Sequence, residues 1–78
     1  MNIKIKVYDE CKYNKESKKV SEVEYYNIKG FEVKTISEKE IYEMGFDETD
    51  DFNEYLIVTL DNNEVATFRN SRVDLFRL

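Results

Sequence analysis

Apolar and polar residues alternate in "NIKIKVY", with Ile3, Ile5 and Val7 on one side and Lys4, Lys6 and Tyr8 on the other. That period of two predicts a half-buried β-strand. The next stretch, "DECKYNKESKK", is polar and aperiodic and predicts a loop. In "VSEVEYYNI" the alternation slips: Val23 and Tyr25 share one parity, Tyr26 and Ile28 the other. A β-bulge at Tyr25–Tyr26 would reconcile the two halves. Lys29–Gly30 reads as a turn, because glycine accepts a positive φ without penalty. In "FEVKTI" Phe31, Val33 and Thr35 stand opposite Glu32, Lys34 and Ile36, so residues 20–36 are expected to form a hairpin.

A helix signal follows. Ser37 and Glu40 have capping-box spacing, and Ile36 with Ile41 has that of a hydrophobic staple. Gly45 suits the left-handed position after a helix, with Phe46 returning to Ile41. A helix of about two turns is expected over 38–44, too short to persist unless Ile41 and Met44 dock on the sheet. "DETDDFNE" reads as a loop, and "YLIVTL", the most apolar run, as the strand at the centre of a sheet. Asn62–Asn63 supplies a tight turn into "VATFR", and "RVDLFRL" is the last strand after a polar break at Asn70–Ser71.

These elements predict one domain over residues 1–78, of α+β class but mainly β. It has five or six short antiparallel strands and one short helix near 38–44. Its last third, a tight hairpin, a polar break and a final strand, resembles the end of an SH3-like half-open barrel. A plain antiparallel sheet with one helix packed on it is the other arrangement this pattern allows.

Composition narrows the chemistry. The chain has no histidine and a single cysteine, Cys11. One chain therefore cannot build structural zinc, a Ser–His or Cys–His nucleophile, or an intrachain disulfide. The lone thiol fits a reducing cytoplasm, the expected location. "MNIKIKVYDE" has no apolar run of the length a signal peptide or membrane span needs. "DETDDFNEYLIV" places Asp47, Thr49, Asp51 and Asn53 as an EF-hand loop would. However, Phe52 stands where the loop needs glycine and Val58 where it needs a bidentate Glu. No metal or cofactor is expected. Carboxylates are the only acid–base equipment, and exposed ones lack the raised pKa that general-acid catalysis requires. The expectation is a protein that binds and does not catalyse.

Charge distribution carries the functional reading. Residues 38–54 set Lys39 against Glu38, Glu40, Glu43, Asp47, Glu48, Asp50, Asp51 and Glu54, a balance of −7 in a chain of net charge −5. Residues 1–37 are at +2. Carboxylates strung along a helix and loop imitate a phosphate backbone and are drawn to a Lys/Arg-lined groove. The expected contact residues are Glu40, Glu43, Asp47, Glu48, Asp50 and Asp51, with Phe52 as an apolar anchor. Against this stands a plainer reading: Phe46 closes the helix, Phe52 and Tyr55 enter the core, and the acids only solubilise the chain.

The segment "SEKEIYEMGFDETDDFNE" is where the chain resembles a known class. With its small size and a composition rich in Lys, Asn, Ile, Tyr and Phe, it looks like the small acidic inhibitors that phages and other mobile elements make against CRISPR and restriction enzymes. The resemblance lies in size, charge block and composition. It implies a non-catalytic inhibitor or adaptor whose partner is a protein with a basic surface, a nucleic-acid enzyme being one such partner. A second reading is a small nucleic-acid-binding module using Lys12, Tyr13, Lys15, Lys18 and Lys19, since basic surfaces with stacking rings hold single strands. The net negative charge opposes that reading. A third is an assembly subunit in which an uncovered edge strand, residues 2–8, pairs between chains.

Overall fold

The computed structural model describes residues 1–36, 43 and 54–78. Six strands run in chain order: β1 (Ile3–Tyr8), β2 (Lys19–Tyr25), β3 (Gly30–Thr35), β4 (Glu54–Thr59), β5 (Val65–Arg69) and β6 (Val73–Arg77). A 3₁₀ turn, Asn70–Arg72, joins β5 to β6. The strands form two antiparallel three-stranded sheets, ordered β2-β1-β6 and β3-β4-β5. The chain is mainly β, with short antiparallel strands as expected, and among the described residues no closed barrel forms.

The alternation of β1 is realised as expected. Ile3 and Ile5 are fully buried, and Val7 packs beside them. The run "YLIVTL" supplies β4, which is the centre of its sheet. The tight turn before β5 closes through Leu60 N–H to the Glu64 carbonyl at 2.8 Å, with Asn63 at φ 69°. The Asn62 side chain accepts from Glu64 N–H at 3.0 Å and the Leu60 carbonyl from Asn63 N–H at 3.1 Å, so the turn closes without glycine.

The hairpin expected over 20–36 does not form. β2 pairs with β1 and β3 pairs with β4, so the chain leaves one sheet after Tyr25 and enters the other at Gly30. The parity slip in "VSEVEYYNI" marks this change of sheet and not a bulge at Tyr25–Tyr26. The ladder irregularity lies between Val7 and Tyr8. The left-handed residue of the crossing is Asn27, at φ 56°, whereas Gly30 opens β3. Asn27 N–H donates to the Asn2 side chain at 3.0 Å and Ile28 N–H to the Met1 carbonyl at 2.9 Å. Ile28 thereby drops into the core between the sheets.

The edge assigned to residues 2–8 is also corrected, because β1 is the central strand of its sheet. The expected helix over 38–44 lies outside the described residues except for Glu43, which is helical and exposed.

Ile3, Ile5 and Val73 from one sheet meet Leu56 and Val58 from the other, with Ile28 at the crossing. Tyr25 and Phe68 close one side edge to face, their ring centroids 6.4 Å apart. A second small cluster, Ile36 and Tyr55 with Ile57, sits on the opposite face of β4. Tyr55 is completely buried there, so this aromatic belongs to the core and is no surface anchor.

Candidate functional site

Directly paired residues of an antiparallel ladder share a face. On the outer face of the β2-β1-β6 sheet, Lys4 therefore lies beside Glu24 and Lys6 between Glu22 and Asp74. Lys6 Nζ also stands 5.0 Å from the centre of the Phe76 ring. Lys19 Nζ donates to Glu22 Oε1 at 2.9 Å. That bond, aided by the fields of Lys19, Lys4 and Lys6, holds the Glu22 carboxyl below its ordinary pKa. The lysines that look like a basic stripe in sequence face acids of their own sheet.

Residues 9–18 form a tied loop between β1 and β2. Asp9 N–H donates to the Lys18 carbonyl at 3.0 Å, and the Asp9 carboxylate accepts from Lys18 N–H at 2.9 Å and from the Ser17 hydroxyl at 3.3 Å. These bonds, the one from Lys18 foremost, lower the Asp9 pKa. Lys12 anchors the loop to the far end of the chain. Its backbone N–H donates to the Ser71 carbonyl at 2.8 Å and its ammonium to the Val73 carbonyl at 2.9 Å. The same ammonium lies 3.4 Å from Asp74 Oδ1, while Tyr8 donates its hydroxyl to Asp74 Oδ2 at 2.9 Å. The bond to the Asp74 carboxylate raises the Tyr8 pKa, since ionising the phenol removes the donor and sets two anions together.

The five residues of the nucleic-acid reading thus serve different ends. Lys12 is a tether and Lys19 is paired with Glu22. Tyr13, Lys15 and Lys18 are exposed, Tyr13 with the Lys12 ammonium 5.3 Å from its ring centre. Lys15 and Lys18 make no ion pair among the described residues. What the loop brings together is one exposed ring and two free ammonium groups beside Glu10 and Glu16, also exposed.

Of the acidic contact residues, Glu40, Asp47, Glu48, Asp50 and Asp51, with Phe52, lie outside the described residues, and Glu43 is exposed. Glu54, the last acid of the block, opens β4 and accepts from the Asn70 side chain at 3.4 Å. A groove of 250 Å³ runs along the β3–β4 surface, lined by Lys29, Gly30, Phe31, Glu32, Ile57 and Thr59. Lys29 donates to the Asn63 side chain, leaving Glu32 as the groove's one carboxylate. A single carboxylate offers no acid–base pair. Among the described residues no three Cys, Asp or Glu converge as metal ligands would. Nor is any helix there long and apolar enough to cross a membrane.

Sequence reading missed the anchoring role of Lys12. The available signal was the loop itself: ten largely polar residues between paired strands need fixed points, and one lysine whose ammonium meets a backbone carbonyl supplies one. No family model, curated protein or solved structure matches the chain.

Proposed function

We propose that this chain is a non-catalytic binding protein, an inhibitor or adaptor that presents the acidic block 38–54 to a basic surface on a protein partner. The partner class is a nucleic-acid enzyme, whose Lys/Arg-lined groove takes the phosphate backbone that such a block imitates. One observation supports the reading: the lysines of the β2-β1-β6 sheet, and Lys12 of the loop that joins β1 to β2, face acids of that same sheet. Lys12 meets Asp74, Lys19 meets Glu22, and Lys4 and Lys6 face Glu22, Glu24 and Asp74. The lysine charge of that sheet is engaged locally, and the block's −7 is the largest charge imbalance in the sequence. The inhibitor-like size and composition noted above point the same way.

The test is competition. The wild-type protein is added to a nucleic-acid enzyme of the host holding a labelled oligonucleotide, and release is followed by anisotropy. The reading expects displacement by wild type and none by the variant with Asp47, Glu48, Asp50 and Asp51 changed to Lys, at unchanged circular dichroism. Equal displacement by both proteins contradicts it. A gel shift of the chain alone with single-stranded oligonucleotides at low salt, expected to be blank, separates this reading from direct nucleic-acid binding.

A further inference from the structure

Among the described residues β3 is an edge strand, paired on one side by β4. Four of its six residues, Glu32, Val33, Lys34 and Thr35, are exposed. Val33 shares the inner face with Leu56 yet is 54% exposed, while Glu32 and Lys34 lie on the outer face with Ile57 and Tyr55. Neither charge has an ion-pair partner among the described residues. An edge of this kind offers a row of unpaired backbone groups to another strand.

We propose that this edge pairs with the same edge of a second copy, antiparallel and centred on Val33. A two-fold axis through Val33 sets Glu32 of each copy beside Lys34 of the other, forming two opposite-charge pairs on the outer face. It also sets Val33 against Val33 on the inner face, covering the exposed isopropyl groups, and Phe31 against Thr35. Such an interface is isologous, as a two-fold requires. Sliding the register breaks it. Because faces must match, the next registers are centred on Glu32 or Lys34, and these set Glu32 against Glu32 or Lys34 against Lys34 at the axis. Only the Val33 register pairs unlike charges.

The other edges lack this self-complementarity. On β2, centring on Val23 opposes Glu22 to Glu24 and centring on Glu22 opposes it to itself. On β5, centring on Thr67 sets Val65 beside Arg69, and on β6, centring on Leu75 sets Asp74 beside Phe76; neither forms an ion pair. A second copy of this chain is therefore the partner that β3 fits best.

Sedimentation equilibrium into the submillimolar range tests the proposal. Wild type is expected to dimerise. Glu32→Lys and Lys34→Glu each convert both charge pairs to like pairs and are expected to weaken the dimer about tenfold or more. The double variant E32K/K34E restores the unlike pairs in reversed order and should dimerise again. An equimolar mixture of the two single variants should form the heterodimer. Circular dichroism of each variant establishes that the fold is intact, and recovery in the mixture shows that both single chains are competent. A wild type that stays monomeric overturns the proposal, as does a dimer indifferent to the charges at 32 and 34. Single variants that dissociate without rescue by the double variant or the mixture overturn the register.

Discussion

Replacing Lys12 with methionine keeps most of the stem and removes the ammonium. That ammonium donates to the Val73 carbonyl at 2.9 Å and lies 3.4 Å from Asp74 Oδ1, with the Lys12 side chain only 17% exposed. A hydrogen bond involving a charged group contributes about 1.5–3 kcal/mol. The ion pair adds less, because the Asp74 side chain is 37% exposed and solvent screens it, leaving under about 1 kcal/mol. Methionine retains the packing of the stem, so the net loss is expected to be about 1.5 kcal/mol, near the lower end of the hydrogen-bond value. Urea unfolding followed by circular dichroism reads this directly. With a slope of about 1 kcal/mol/M for a domain this small, the midpoint should fall by about 1.5 M. Lys15→Met and Lys18→Met, at exposed positions, should change stability by less than about 0.5 kcal/mol. A cycle with Asp74→Asn isolates the charge pair, whose coupling should stay below about 1 kcal/mol. If Lys12→Met behaves like the two exposed controls, the lysine is no tether, and the loop is free to serve as the basic surface of the nucleic-acid reading.

Two further perturbations test the crossing between sheets and the loop. Asn27→Val forces a β-branched residue to φ 56° and should destabilise by about 1–2 kcal/mol, whereas Asn27→Gly should be tolerated. Gly30→Ala should be neutral or stabilising, since a Cβ there meets nothing within 4 Å; a large loss on Gly30→Ala in urea unfolding would instead favour a turn at that residue. Asp9 has a folded pKa below its unfolded one, so the stability it brings is full above the ordinary carboxylate range and is lost as pH falls through the depressed folded value. Asp9→Asn should therefore melt below wild type at neutral pH, with the gap closing in acid; a gap that persists to the lowest pH measured would contradict this.

Sequence pattern made the strands legible and left their partners obscure. Period two identified β1, and the apolar run identified β4 as a sheet centre, because both are local consequences of which face is buried. The turn through Asn62–Asn63 was legible from residues that accept a positive φ, and the break between β5 and β6 from the polar pair Asn70–Ser71. The crossing at residues 26–29 was not. A change of parity looks the same whether a strand bulges or leaves its sheet, and only long-range pairing decides between them. The central place of β1 has the same cause, since β6 reaches its second side from the far end of the chain. For the site, charge sign could be read and charge pairing could not. Lys12 and Lys19 resembled free basic residues until Asp74 and Glu22 were placed beside them. The alternation of Glu32 and Lys34 about Val33 was visible in sequence, but it acquires meaning only once β3 is known to be an edge.

The most direct test of the account is the competition experiment with the fourfold Lys variant at Asp47, Glu48, Asp50 and Asp51. Wild type is expected to release the labelled oligonucleotide from the enzyme, less so as salt rises, and the variant, folded as before, to release none. Release by the variant equal to that by wild type would contradict it.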